Sequence, residues 1–296
     1  MSEALTGRVL KGIGGFYYVL ADDGREYTLR AQSKIRREHL KPMVGDRVEF
    51  EPGTEDENGW MVRILPRRNS LLRPPVANID TVVLTLSASV PKADLMLIDR
   101  LMIYARMRGI EIKLAVNKAD MDPDYARQIA GQYIGSGAEC FAVSAVDGMG
   151  LETLRCALRG KVHAFAGQSG VGKSSLINAL YGIRMEVGDI SRKIERGKHT
   201  TRSSCLVAVE GGGAVLDTPG FSLFESELME PVRLQEMYPE FDPYRDKCRF
   251  SPCRHKSEPD CAVKQAVLLG RIDPGRHERY TALLDEMSER WQNRYD

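Results

Sequence analysis

The chain has 296 residues, of which 43% are hydrophobic and 28% charged, with a formal net charge of +1. Such a length predicts about two domains, or three if some are small, and the near-neutral balance excludes wholesale polyanion binding, so any nucleic-acid contact rests on local patches. Nothing resembles a run of about 18 apolar residues for a membrane span, a secretory signal at the amino terminus or a cysteine-dense disulfide scaffold; the composition reads as a reduced, cytoplasmic protein, and a monomer is expected.

In chain order, residues 1–68 hold short β-prone runs ("GRVLKG", "FYYVLA", "EYTLRA", "GDRVEFE", "GWMVRIL") separated by glycine, "DDG" and charged turns. Several short strands in so small a segment predict an OB-type β-barrel, either a nucleic-acid platform or a structural barrel docked on protein. "RRNSLLRPPVANID" marks a boundary, where Pro74-Pro75 is expected to break regular structure. Residues 69–224 then alternate apolar strands with helical periodicity, which predicts an α/β domain with a mostly parallel, doubly wound sheet. Residues 225–296 are polar, mainly helix-prone and carry a cysteine cluster.

The chemistry lies in the middle segment. "GQSGVGKSS", Gly167, Gln168, Ser169, Gly170, Val171, Gly172, Lys173, Ser174 and Ser175, is a phosphate loop between an apolar strand and an amphipathic helix. Glycines there let backbone N–H groups wrap phosphates at a helix N-terminus. Lys173 is placed to reach the β- and γ-phosphates and Ser174 to bind Mg²⁺. "DTPG" closes a second strand, with Asp217 toward Mg²⁺ and the Gly220 N–H toward the γ-phosphate. "NKAD", Asn117, Lys118, Ala119 and Asp120, reads guanine: Asp120 accepts from its two N–H donors, a pair that adenine lacks. Ser144 and Ala145 support the base from the next strand end.

These motifs run base, base support, phosphate, switch, magnesium, whereas an ordinary GTPase has the base motif after the phosphate loop. Because ligand loops gather at the carboxyl ends of a doubly wound sheet, a circularly permuted chain keeps the pocket. The permutation also sends the segment after "DTPG" straight into the C-terminal domain, so a γ-phosphate contact at Gly220 is expected to move that domain. Phe221 stands where many GTPases place a water-orienting glutamine, which predicts slow unaided hydrolysis. In "ERGKHTTRSS", one of Thr200 and Thr201 is expected to complete the Mg²⁺ shell. His199 is either the group that positions or deprotonates the attacking water, catalytic together with Lys173, or a solvated loop or partner-contacting histidine. Gly170 replaces the asparagine of potassium-dependent GTPases, so no potassium requirement is expected by that route.

"CRFSPCRHKSEPDC" supplies Cys248, Cys253, His255 and Cys261. Four soft or borderline ligands make a closed tetrahedral shell, so one structural Zn²⁺ is expected, holding together a domain without its own core. Cys140, Cys156 and Cys205 fall in apolar elements and read as core residues.

Together, the OB-like start, the base motif before the phosphate loop, "GKHTTR", "DTPGF" and "CRFSPCRHKSEPDCAV" resemble the bacterial ribosome small-subunit-dependent GTPase A family. The resemblance spans nearly the whole chain. It implies an assembly factor bound late to the maturing small ribosomal subunit and its rRNA. The subunit would stimulate GTP hydrolysis to GDP, and hydrolysis would time release. It carries phosphate and magnesium roles to Lys173 and Ser174, base roles to Asn117 and Asp120, zinc to the three cysteines and His255, and a proposed catalytic role to His199. Basic clusters at 34–41 and 63–73, with Arg249 and Arg254, are candidate rRNA contacts. The competing class is an RNA-binding scaffold in which GTP only sets affinity for the particle.

Overall fold

The computed structural model describes residues 4–37, 41–53, 57–72, 74–183, 204–217 and 229–294. The first unit is a five-stranded barrel of β1 (Leu5–Ile13), β2 (Phe16–Ala21), β3 (Glu26–Ala31), β4 (Arg47–Glu51) and β5 (Gly59–Ile64), with the short α1 (Ser33–Arg37) after β3. Its order is β1-β2-β3-β5-β4, β3 and β5 run parallel, and β4 closes on β1, the OB-type arrangement. Alternation puts Val9, Val19, Leu29, Val48, Phe50 and Met61 inside, all fully buried. Gly14 and Gly15, at φ 59° and 88°, form the two-residue turn from β1 to β2, where two successive left-handed residues match the twist of the hairpin.

The expected break at Pro74-Pro75 is instead a ribbon, β6 (Ser70–Leu72) paired with β7 (Pro75–Ala77). Proline is tolerated at the first residue of a strand because the ladder loses nothing there. Leu71, Val76 and Ala77 go into the core beside it.

The central unit comprises β8 (Thr81–Ser87), α2 (Leu95–Met107), β9 (Glu111–Asn117), α3 (Pro123–Gln132), β10 (Glu139–Ala142), α4 (Leu151–Leu158), β11 (Val162–Ala166), α5 (Lys173–Tyr181), β12 (Cys205–Ala208) and β13 (Ala214–Asp217). The strands lie in the order β10-β9-β8-β11-β13-β12, with only β12 antiparallel to its neighbour inside this unit. All seven residues of β8 are buried, as a strand covered by helices on both faces requires. The phosphate-loop strand β11 sits centrally although it is the fourth strand of the unit in sequence. That is the permutation in three dimensions. β12 also pairs with β1 at Cys205 and Lys11, which merges barrel and central sheet edge to edge.

The C-terminal unit has 3-10 turns at Pro231–Met237, Pro239–Phe241 and Arg245–Lys247, then α6 (Ala262–Leu268) and α7 (Pro274–Gln292). It was expected to lack a core. Instead Leu234, Tyr238, Phe241, Val263, Tyr280 and Leu283 pack together, and Ile103 of α2 joins them. The core is shared with the central unit, which explains how a polar segment assembles one. Cys140 and Cys205 are half-buried, but Cys156 is exposed on α4, so the expectation of a core role fails there.

Candidate functional site

The carboxyl ends of β9, β10 and β11 bring base and phosphate motifs together. Asn117, the last residue of β9, is buried and bridges them: its Nδ2 donates to Val171 O at 2.9 Å, and its Oδ1 accepts from Ala145 N at 3.2 Å. Lys118 takes φ 61° and donates from Nζ to Val90 O and, at 3.2 Å, to Gly170 O. Its stem therefore lies over the space between the two loops. Ala119 is buried and donates its N–H to Val143 O at 3.1 Å, which leaves Asp120 exposed at the rim. A carboxylate held open there can accept two donors from a base.

Ser144 is buried and turns the next loop: its Oγ accepts from the N–H groups of Val146 and Asp147, both at 3.3 Å. The backbone N–H of Met149 donates to Asp147 and holds that carboxyl below its usual range.

Two glycines of the phosphate loop are required by space as well as by conformation. At Gly167, φ 136°, an added Cβ would lie 2.2 Å from Thr85 O; at Gly172, φ 92°, it would lie 2.4 Å from Asn117 Nδ2. The loop thus presses against the β8 backbone and the base motif, and any side chain would pry the pocket apart. Lys173 opens α5 and folds back over the loop, donating to Gly167 O at 2.8 Å and Gln168 O at 2.7 Å. Burial draws its pKa below the ordinary lysine value, and an approaching phosphate would favour its charged form and raise it again. This cradle fits a nucleotide polyphosphate. Ser174 and Ser175 follow in the first turn, and Ser169 and Gly170 face solvent.

Asp217 ends β13 opposite Cys205, on the far side of β11 from the base motif. Its backbone position is described; its side chain is not. His199, Thr200, Thr201, Gly220 and Phe221 lie outside the described residues.

The expected metal ligands also converge. The ligand atoms of Cys248, Cys253, His255 and Cys261 lie within 4.8 Å of one another. Cys248 Sγ is 3.8 Å from Cys261 Sγ, and His255 Nδ1 is 3.5 and 3.4 Å from these two sulfurs. A tetrahedral shell with metal–sulfur bonds of about 2.3 Å and a metal–nitrogen bond of about 2.05 Å has edges of about 3.8 and 3.6 Å. The cluster therefore has the dimensions of a coordination shell and can hold such a metal ion. Burial pushes the Cys253 thiol up to about 12 and the His255 imidazole down to about 4, so binding a cation here must displace thiol protons.

Sequence reasoning missed the partner that orients His255. Gln235 Oε1 lies 2.8 Å from His255 Nε2, which fixes the tautomer that leaves Nδ1 free for metal. Gln235 is thirteen residues before the first cysteine, and spacing alone carries no sign of it.

Comparison with known proteins agrees with this geometry. Residues 64–227 match the RsgA GTPase family and residues 6–61 the RsgA N-terminal domain. A protein of Caldanaerobacter subterraneus subsp. tengcongensis named small ribosomal subunit biogenesis GTPase RsgA is 41% identical over 295 residues, 99% of each chain. One of the same name from Ruminiclostridium cellulolyticum is 41% identical over 96% of this chain and 94% of its own. Among solved structures, YjeQ from Thermotoga maritima has a TM-score of 0.83 at 33% identity, covering 96% of this chain and 99% of that one. YloQ, described as a circularly permuted GTPase, has a TM-score of 0.82 at 30% identity, covering 97% and 96%.

Proposed function

The chain belongs to the RsgA family of GTPases, and from that membership we propose that its GTP turnover is slow alone, is stimulated by the small ribosomal subunit, and times release from that subunit during late maturation. The chain is a circularly permuted GTP hydrolase acting in small-subunit biogenesis. The observation that carries the nucleotide reading is the Asn117 bridge, which ties the guanine motif to the phosphate loop at Val171 and to the base-support loop at Ala145.

In this reading Asp120 and Asn117 recognise guanine, with Lys118 and Ala119 shaping the base slot and Ser144 and Ala145 closing it. Lys173 and the loop N–H groups from Gly167 to Ser175 hold the phosphates. Ser174 and Asp217, with Thr200 or Thr201, would hold Mg²⁺, which supplies charge neutralisation at the phosphates. His199 is assigned to the attacking water. A His199→Ala protein that hydrolyses GTP normally on the subunit would remove that assignment. The cysteine–histidine cluster is assigned one structural Zn²⁺ per chain. The protein works as a cytoplasmic monomer whose partners are the subunit, its rRNA and GTP or GDP.

GTP turnover with and without purified small subunits, with large subunits and ATP as controls, tests this proposal; equal turnover in all cases ends it. The scaffold reading, in which GTP only sets affinity, predicts normal maturation and release when hydrolysis is blocked. Trapping on the subunit by a nonhydrolysable analogue excludes it.

A further inference from the structure

The ring and the backbone of His255 are held by different parts of the chain. Gln235 lies on the 3-10 turn Pro231–Met237, and its Nε2 donates to Val232 O at 3.0 Å within the same turn. With the amide nitrogen committed there, Oε1 is the atom turned to His255 Nε2 at 2.8 Å, and an amide oxygen can only accept. The ring therefore carries its hydrogen on Nε2 and directs the Nδ1 lone pair into the cysteine cluster. The backbone of the same residue stands at φ 59°, a left-handed conformation uncommon for a residue with a side chain. There α7 braces it: His277 Nε2 donates to His255 O at 2.8 Å, and the Tyr280 hydroxyl donates to Arg254 O at 2.9 Å.

The turn that carries Gln235 is itself docked on the central unit. Leu234, immediately before it, is fully buried in the core shared with Ile103 of α2. Met237 O, two residues after it, accepts from Arg106 of α2, whose other nitrogen reaches Ser136 O beyond α3. A continuous series of contacts thus joins α2 to the fourth ligand of the cluster: Arg106, the turn, the Gln235 amide and the His255 ring.

Resting on the reading of this cluster as a zinc site, we propose that Gln235 is a positioning residue for the ion, and that through it retention of the ion depends on the seam between the turn and α2. The cysteines supply three ligands on their own; the fourth is available only while the imidazole is held with Nδ1 inward. A ring released from Gln235 rotates or takes the other tautomer, and the fourth position passes to water. Outer partners of this kind govern metal affinity over a range of about 10–100-fold. Because linkage is reciprocal, loosening the turn at Arg106 weakens the hold on the ion, and the ion in place steadies the turn.

The test titrates the full chain with Zn²⁺ against a chromophoric chelator, alongside variants checked for native circular dichroism and unchanged basal GTP turnover. Gln235→Met, which keeps the length and removes the acceptor, is expected to bind Zn²⁺ about 10–100-fold more weakly, and Gln235→Ala serves as its duplicate. Gln235→Glu restores an accepting oxygen and should stay within about threefold of the native chain. Arg106→Lys keeps the charge but cannot span both carbonyls, and should weaken binding by at least about fivefold. Co²⁺ in place of Zn²⁺ supplies a readout that a general loss of stability would not move. At saturation, Gln235→Met should keep the thiolate-to-metal absorption while its d–d bands shift as oxygen replaces nitrogen. Equal Zn²⁺ affinity in Gln235→Met and Gln235→Ala, or unshifted d–d bands, overturns the positioning role. Gln235→Glu as weak as Gln235→Met also overturns it, in favour of packing. Unchanged affinity in Arg106→Lys overturns the tie to α2. All of these leave the zinc reading standing, whereas a native chain that takes up no Zn²⁺ overturns that reading and the proposal with it.

Discussion

The barrel and the C-terminal unit attach to opposite halves of the central sheet by different chemistry. The barrel joins at β12 through the Lys11–Cys205 strand pairing, and at β7, where Gly45 packs so closely that an added Cβ would lie 2.0 Å from Ala77 O. The C-terminal unit joins α2 and α3 through a buried ion network. Asp99 of α2 is fully buried; Arg276 and Arg279 of α7 approach it at 2.5 and 2.7 Å, and Tyr133 donates to it at 2.9 Å. Arg276 also pairs with Glu240 at 2.7 Å and lies 4.2 Å from the Tyr238 ring centroid. Burial opposes the Arg276 charge, yet Asp99, Tyr238 and Glu240 outweigh it and raise its pKa. Arg106 of α2 donates to Met237 O and Ser136 O across the same seam.

The difference matters because α2 and α3 flank the base motif, whereas β12 and β13 border the segments expected to touch Mg²⁺ and the γ-phosphate. GDP and GTP present the same base and differ only at the phosphate. A nucleotide-dependent change is therefore expected to reach the half that carries the barrel first. The expectation that Gly220 moves the C-terminal unit runs through residues 218–228, outside those described. The Asp99–Arg276 network opposes such a movement, since separating the units would leave buried charges unpaired.

The largest effect expected at the two junctions comes from the proposed Zn²⁺. Chelation, or Cys253→Ala, is expected to cost the C-terminal unit on the order of 10 kcal/mol. Hydrogen exchange should show α6 and α7 losing protection while β1–β5 keep theirs; uniform loss would contradict the separation. Next is Arg276→Met, expected to destabilise the chain by about 3 kcal/mol in denaturant unfolding because it leaves the buried Glu240 without its cation and Asp99 with Arg279 and Tyr133 alone, with nothing comparable for Arg63→Met on the barrel, where the ion pair is exposed.

A smaller effect lies in the sheet beneath the phosphate loop. His163 of β11 is fully buried against Tyr181, with 2.8 Å between Nε2 and the hydroxyl, and burial lowers its pKa to about 4. The unfolded chain protonates it near 6.5 and the folded chain resists, so stability is intact above 6.5 and falls as pH drops toward 4. The loss amounts to roughly 3 kcal/mol. His163→Gln should flatten that part of the pH–stability curve, and an unchanged slope would assign it to other groups. Smallest in energy is the nucleotide response: paired spin labels should report a barrel-to-α5 distance change between GDP and a GTP analogue, with the α2-to-α7 distance constant. The opposite pattern would restore the Gly220-driven movement of the C-terminal unit.

The legible parts of this molecule were those written in short, local patterns. Alternation in "FYYVLA" and "EYTLRA" marked barrel walls, and motif order revealed the permutation because each loop sits at a strand end. The four residues of the cysteine–histidine cluster declared themselves within fourteen residues. What stayed hidden depended on distance in sequence. Asp99 looks like a stray polar residue in the apolar helix "DLMLIDRLMIYARM" until Arg276, nearly two hundred residues away, arrives beside it. The shared core made by Ile103 of α2 with Tyr238 and Tyr280 was invisible for the same reason. Pro75 misled because its cost depends on its place in a strand, which only the pairing with Leu72 settles.

The central claim is that base reading and phosphate grip, reversed in sequence order, share one pocket through Asn117. Calorimetric titration of GDP, ADP and xanthosine diphosphate into the native chain and Asp120→Asn tests it directly. The native chain should take GDP and reject ADP, and Asp120→Asn should lose GDP and gain xanthosine diphosphate, whose base offers an acceptor where guanine offers a donor. Equal affinity of the native chain for GDP and ADP, or undiminished GDP binding by Asp120→Asn, would contradict the account.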